Sequence, residues 1–334
     1  MPFYVINIFL GFAGFLLALY IAHKKRRKSE HFVCPLRGNC SEVIHSDYSK
    51  FFGIPVEYLG LAYYGTIAVA YGLRAMWPGI DGVFTLFLFA ISTFALVFSF
   101  YLTFIQLFTL RKICTWCLVS ATLTVFIFAI SLSGSYDLLV PVLASWKIYI
   151  VILHVIAMAV GLGAATLADL FFFRFLKDFR ISEMEASVLR IFSQFIWLAL
   201  GLIIMTGLGL FIPQTDLLLS SDKFLMKMIV VSVIIVNGAF LNLFIAPKIL
   251  QIQFGKHHHQ PGELVRTRQL AFMFGPISVV SWYVAFILGM LETAPATLDV
   301  MWRTYLTLII VAVLIGQIAE KVIDRRASGQ TVPT

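Results

Sequence analysis

Charge is scarce in this chain, and cysteine stops early. Of 334 residues, 13% are charged and 60% are hydrophobic, where a soluble domain carries about 25% charge. That excludes an ordinary water-soluble globule. Alternating apolar and polar runs are missing, which excludes a membrane β-barrel. No basic segment precedes the first apolar run and no small-residue cleavage site follows it. Residues 3–22 therefore read as a retained span, not a secretory leader. No cysteine follows Cys117, so a fused thioredoxin-like module with its own cysteine pair is excluded. Internal repeats and low-complexity tracts are also lacking.

What is present is a series of long apolar runs. About 20 such residues cross a bilayer as a helix, and only a helix or a closed barrel satisfies its own backbone in lipid. Nine transmembrane helices are expected, near 3–22, 57–76, 83–109, 113–132, 148–171, 191–212, 225–245, 270–291 and 302–319. The expected fold is an all-α integral membrane protein. A four-helix bundle occupies 1–135, a linker runs over 136–146 with Pro141, a five-helix membrane domain covers 147–323, and 324–334 is a polar tail.

The net charge of +8 is sorted by side, which points to a membrane and not to nucleic acid. Following the parity of nine spans, 20 of the 25 Lys and Arg fall on the side of the 23–56 loop; the other side holds Arg74, Lys147, Lys223, Lys227 and Arg303. Lys and Arg mark the cytoplasmic side. The N-terminus is thus expected outside and the C-terminus inside. The block His23-Lys24-Lys25-Arg26-Arg27-Lys28 agrees, either as a solvated linker or as a contact for lipid headgroups.

The four cysteines form two pairs. Cys34 and Cys40 lie in the first loop as Cys-Pro-Leu-Arg-Gly-Asn-Cys; Cys114 and Cys117 open the fourth helix as Cys-Thr-Trp-Cys. Two spans separate those regions, so both pairs face one side whatever the absolute orientation. A helix N-terminus and adjacent cations, here Arg111 and Lys112, lower a thiol pKa. Cys-X-X-Cys spacing lets one thiol attack and the other resolve. Other readings of the same residues are a four-thiolate zinc site, inert buried cysteines and a static disulfide framework. The five-residue spacing of the loop pair is wide for zinc, and no metal site is expected.

From Cys34 the chain reads CPLRGNCSEVIHSDYSKFFGIPVEYLG. With Cys114-Thr-Trp-Cys117, this resembles the vitamin K epoxide reductase family over residues 1–135. The resemblance implies transfer of electrons from protein thiols to a membrane quinone, menaquinone or ubiquinone. It implies that Cys34 pairs with Cys40 and accepts electrons from an outside thiol. Cys114 then exchanges with Cys40, and Cys117 faces the quinone. Ser46, Tyr48, Phe52 and Gly53 match positions that support the quinone and shape the lid over it; plain loop packing is the other reading of these four. The thiol partner is expected in trans, as a separate thioredoxin-like protein. Residues 57–76 contain no asparagine, and Ala121 stands where animal members carry tyrosine. Both departures point away from vitamin K epoxide reduction and leave quinone-coupled disulfide formation intact. Members of the family mostly carry their cysteines on the exoplasmic face, whereas the charge bias here puts them in the cytoplasm.

Residues 147–323 offer few polar groups. His154 reads as a core or interfacial histidine, and Gly161, Gly163, Ala164 and Ala165 as a close-packing face. Asp169 is expected in an ion pair with Arg174 or Lys177. Asn237 and Asn242 read as interhelical hydrogen-bonders, and His257-His258-His259 as polar loop. This half resembles bacterial membrane domains whose chemistry is unknown. The alternative to an enzyme is a redox-gated transporter or a scaffold built on it, which would need polar groups facing one another mid-membrane.

Overall fold

The computed structural model describes residues 3–26, 34, 39–51, 53–77, 79, 82–110, 112–175, 182–251 and 262–329. Among them the regular structure is helical, apart from one two-stranded hairpin. Eight helices are long and apolar enough to cross a membrane. Seven of the expected spans coincide with one of these eight apiece, and the 113–132 span coincides with the helix Thr115–Ser145. The remaining expected span, 57–76, is a 21-residue helix, Val56–Met76, that is not among the eight. Glu57, Arg74 and four tyrosines (Tyr58, Tyr63, Tyr64, Tyr71) lower its apolarity.

The chain divides into two compact units, Met1–Val142 and Leu143–Thr334. The first begins with α1 (Phe3–Arg26), α2 (Cys40–Ile44), a 3₁₀ turn (Asp47–Ser49) and a hairpin of β1 (Lys50–Phe51) and β2 (Ile54–Pro55). Then follow α3 (Val56–Met76), α4 (Gly82–Phe104) and α5 (Thr115–Ser145). The expected linker at 136–146 is not a break in structure. Helix α5 runs through it with Pro141 inside, and the next helix starts at Lys147.

Helices α1 and α3 are the close pair of this unit, running antiparallel. A Cβ on Gly11 would lie 2.9 Å from the backbone N of Ala68, and one on Gly14 would enter the Tyr64 ring. Small residues let backbones approach, and in lipid that packing is a main source of helix association. The other helices pack through larger side chains, as in the contact of Phe89 with Phe128, centroids 5.4 Å apart.

Two tiers of buried polar groups cross the bundle. In one, the Tyr64 hydroxyl meets Ser120 O and Oγ at 2.8 Å and Thr124 Oγ1 at 3.1 Å. In the other, Tyr71 donates to Ser131 Oγ at 2.8 Å, and so does Asn7 Nδ2 at 3.1 Å. Ile67 and Ile127, both fully buried, lie between them in sequence on α3 and α5.

The second unit comprises α6 (Lys147–Phe175), α7 (Glu183–Phe211), α8 (Thr215–Leu219), α9 (Asp222–Phe240), α10 (Gly262–Met290) and α11 (Leu298–Gly329). Ser182 caps α7 in a reciprocal box with Glu185. The small-residue face of α6 is used in part: Gly161 meets Trp282 and Ala199, while Gly163 faces open space. His154 Nδ1 lies 2.8 Å from Thr206 Oγ1, the packing role expected of it. Asn242 bridges helices by accepting from Ser193 Oγ at 2.8 Å; the Asn237 amide is buried with no such bond. Asp169 makes no ion pair with Arg174 and lies beside Gly275 instead; Lys177 and His257–His259 lie outside the described residues. A buried ion pair forms elsewhere: Arg268 Nε to Glu320 Oε1 at 2.6 Å, with Asp324 at 3.1 Å from Nη1.

Because Gly11 abuts backbone, which cannot swing aside, Gly11→Val is expected to destabilise the protein by about 1–3 kcal/mol. Thermal unfolding in detergent measures this, and an unchanged midpoint would show that α1 and α3 do not approach this closely.

Candidate active site

The cysteines gather at the end of the first unit where α1 finishes and α3 and α5 begin. Lys25 Nζ binds Glu57 Oε2 at 2.9 Å across those ends. Arg26 Nε donates to the Tyr58 hydroxyl at 2.9 Å. The basic tail of α1 is thereby fastened to the start of α3.

Cys34 and Cys40 form one disulfide, with Cα atoms 5.6 Å apart, and Cys114 and Cys117 form the other, at 5.3 Å. The pairing matches the expectation drawn from the resemblance. Among the described residues the sulfurs are bonded in pairs and not gathered around one centre. All four cysteines share one apolar cluster with Leu17, Tyr20, Ile21, Val43, Ile44 and Trp116. Cys40 and Cys114 are buried, at 1% and 0% exposure; Cys34 and Cys117 are part-exposed. Thr115 Oγ1 sits 3.8 Å from Cys34 Sγ, linking the loop pair to the helix pair.

Local chemistry explains each placement. Cys114 precedes the first turn of α5, and its sulfur accepts from Cys117 N at 3.2 Å while its carbonyl accepts from Leu118 N at 3.1 Å. It thus caps the helix, where a developing thiolate meets unpaired N–H groups. Cys40 opens α2, and the residue before it is held by a backbone bond from Asn39 N to Ile113 O at 2.7 Å. That bond places residue 40 beside residue 114. Lys112 Nζ reaches Glu42 Oε2 at 2.9 Å, and Asn39 Nδ2 donates to Glu42 Oε1 at 3.0 Å.

Residues 5–132 match the vitamin K epoxide reductase family. No curated protein and no solved structure matches the chain. The family match takes in nearly all of α1, all of α3 and α4, the first part of α5 and both cysteine pairs, and stops at residue 132, eleven positions before the second unit begins at Leu143.

The supporting residues named from the resemblance take definite places. Ser46 ends α2: its hydroxyl donates to Val43 O at 2.7 Å and its carbonyl accepts from Ser49 N at 2.9 Å. Tyr48 is 45% exposed in the 3₁₀ turn. Gly53 turns the hairpin at φ 83°, a conformation that favours glycine. Phe52 lies outside the described residues; its neighbour Phe51 contacts Phe98 of α4, centroids 5.0 Å apart. Sequence reading passed over Asn39, Glu42, Thr115 and the Tyr64–Ser120 pair. The signal for the last was available: Ser120 follows Cys117 by one helical turn, facing the same way.

The hydrogen bonds from Lys112 and Asn39 hold the Glu42 carboxyl below its ordinary value of 4.5. A depressed carboxyl pKa contributes stability above the unfolded value and loses it as pH falls through the folded one. Docking of α2 is expected to hold from about pH 7 to about pH 5 and to loosen only at lower pH, with Glu42→Gln showing no such transition. Amide-exchange protection over Ser41–Ile44, corrected for intrinsic rate, reads this. Loosening that starts between pH 7 and pH 5 would count against the pairing.

Proposed function

We propose that the protein is a membrane thiol:quinone oxidoreductase that forms disulfides in a partner protein. The observation that carries this is the graded burial of two disulfides in one cluster, inside the stretch that matches a redox family. At the coarser level, the family match and the paired cysteines support a thiol-oxidising membrane redox enzyme. The quinone and the partner are the further step.

In this reading the part-exposed Cys34 takes the attack of a partner thiolate. The mixed disulfide resolves to a partner disulfide, and Cys34 and Cys40 are left reduced. Cys40 then exchanges with Cys114, buried beside it. Cys114 as helix cap stabilises the thiolate form that exchange requires. Cys117, a turn below at the bundle wall, faces the acceptor. A bound quinone supplies a two-electron, two-proton sink. The residues that fit its ring are those of the bundle interior around Cys117, where Tyr64 and Ser120 carry hydroxyls. Ser46, already bonded to Val43 O, supports the α2 lid by shaping it. The partner is a separate thioredoxin-like protein.

Nine spans complete the topology we propose, with α3 as the ninth, shielded by its close contact with α1. The N-terminus then lies outside, and the C-terminus and the cysteine site lie in the cytoplasm. For the transporter alternative the second unit offers Asn237 and Asp169 among the described residues, whereas His154, Asn242, Arg268, Glu320 and Ser281 are spent on neighbouring side chains.

Two measurements test the reading. Purified protein given a reduced dithiol and a soluble quinone should show quinone absorbance loss, cut at least about 100-fold by Cys114→Ala or Cys117→Ala. Full turnover in both variants would sink the relay. In intact cells, pre-reduced protein should resist a membrane-impermeant maleimide at Cys34 and Cys40 until the membrane is permeabilised. Labelling without permeabilisation would put the site on the exoplasmic face and overturn the charge-based orientation.

A further inference from the structure

We infer that Asn39, Glu42 and Lys112 form a positioning latch that sets the rate of exchange between the loop disulfide and the helix disulfide. The inference rests on the relay reading above and adds the device that makes the relay work. None of the three residues is a cysteine or touches the quinone region.

The geometry is a closed ring of contacts around the junction of the two pairs. Asn39 N donates to Ile113 O at 2.7 Å, fixing the backbone before Cys40 to the backbone before Cys114. The Asn39 side chain donates to one oxygen of Glu42 at 3.0 Å. Lys112 holds the other oxygen at 2.9 Å. Lys112 is itself anchored, since its backbone N donates to Gln106 O at 3.1 Å in the turn that ends α4. The carboxylate therefore spans α2 and the segment leading into α5. Each cysteine that must meet the other sits one or two residues from a latch residue.

The exchange it serves is balanced within the protein. A Cys40 thiolate attacks the Cys114 sulfur, a Cys40–Cys114 bond forms, and Cys117 leaves as a thiolate. Cys34 then attacks Cys40, remaking the loop disulfide and releasing Cys114. Two thiol protons leave the loop pair, and the helix pair takes up two. The attack needs Cys40 close to Cys114 in line with the breaking bond, and holding reacting groups in place can replace much of a bimolecular barrier. An exposed ion pair contributes little to global stability. Here it acts on a five-residue helix that is too short to hold its own position. Removing the latch lowers the encounter without unfolding the bundle.

The test isolates the one encounter. In a Cys34→Ser/Cys117→Ser background only Cys40 and Cys114 remain. Their effective concentration is read from the Cys40–Cys114 disulfide formed against a glutathione redox buffer, with thermal unfolding as the check on folding. Glu42→Lys or Lys112→Glu alone should lower it about fivefold, the upper end for an exposed pair. The swapped double variant should return at least half of the loss, since the pair is restored with signs exchanged. Glu42→Gln and Lys112→Met, milder in charge, should each give a smaller fall and serve if a reversal fails to fold. Single variants equal to the parent, or a swap as weak as the singles, would overturn the latch. The quinone reading fails separately: no quinone reduction by the unsubstituted protein, with the effective concentration still latch-dependent, removes the acceptor and leaves the latch standing.

Discussion

One backbone hydrogen bond does more than any other to make this chain a redox device: Asn39 N to Ile113 O. Cys40 and Cys114 are separated in sequence by two long helices, α3 and α4. Without a fixed contact between their segments, the loop pair would visit the helix pair only at the frequency of loop closure, whose entropy grows with the intervening length. The bond converts that search into a standing neighbour relation. Around it, the Lys25–Glu57 pair and the Arg26–Tyr58 contact tie the end of α1 to the start of α3, and Ile21, Ile44 and Trp116 pack in one cluster with the buried Cys40 and Cys114.

The bilayer sets the second constraint. A polar group in a span must find a partner within the protein, and the two tyrosine tiers of the first unit show how. Tyr64 and Tyr71 stand two helical turns apart on α3, and each meets hydroxyls of α5. These bonds hold α5 in rotational register against α3. The same tyrosines, with Glu57 and Arg74, are why α3 is not among the eight helices apolar enough to cross a membrane. The cost of weak membrane character is offset by its intimate contact with α1 through Gly11 and Gly14.

Sequence carried the fold class, most of the spans and the two cysteine pairs, because long apolar runs and paired thiols are local signals. Three features escaped it for one reason. Helix α5 continues through Ser133, Gly134 and Pro141, since in lipid a proline-broken bond is less costly to the helix than an exposed backbone would be. Asp169 turned away from Arg174, the nearest cation in sequence, and Arg268 paired instead with Glu320, 52 residues on. The latch joins residues 39, 42 and 112. Partner choice at such distances depends on which helices are adjacent, and that is settled by packing. Tyr48 and Gly53 were legible as positions, and what the structure adds is their conformation: an exposed turn and a left-handed hairpin tip.

The order of burial among the four sulfurs argues for a direction of access. A thiol that meets a protein partner must be reachable, and Cys34 is the loop sulfur that remains part-exposed. A pair that exchanges internally gains from exclusion of water, because competing thiols are kept out and the thiolate formed is held by fixed N–H groups instead of solvent. Cys40 and Cys114 are those two, and Cys114 alone sits where α5 offers its unpaired amides. Cys117 is left at the wall of the bundle, one turn from the Tyr64–Ser120 tier. Exchanging Cys34 with Cys40 would put a buried sulfur before the partner, and exchanging Cys114 with Cys117 would put a part-exposed one at the inner exchange. The sequence spacing Cys-X-X-Cys permits either order within the helix pair; in the proposed relay the helix cap at Cys114 favours that sulfur for the inner exchange.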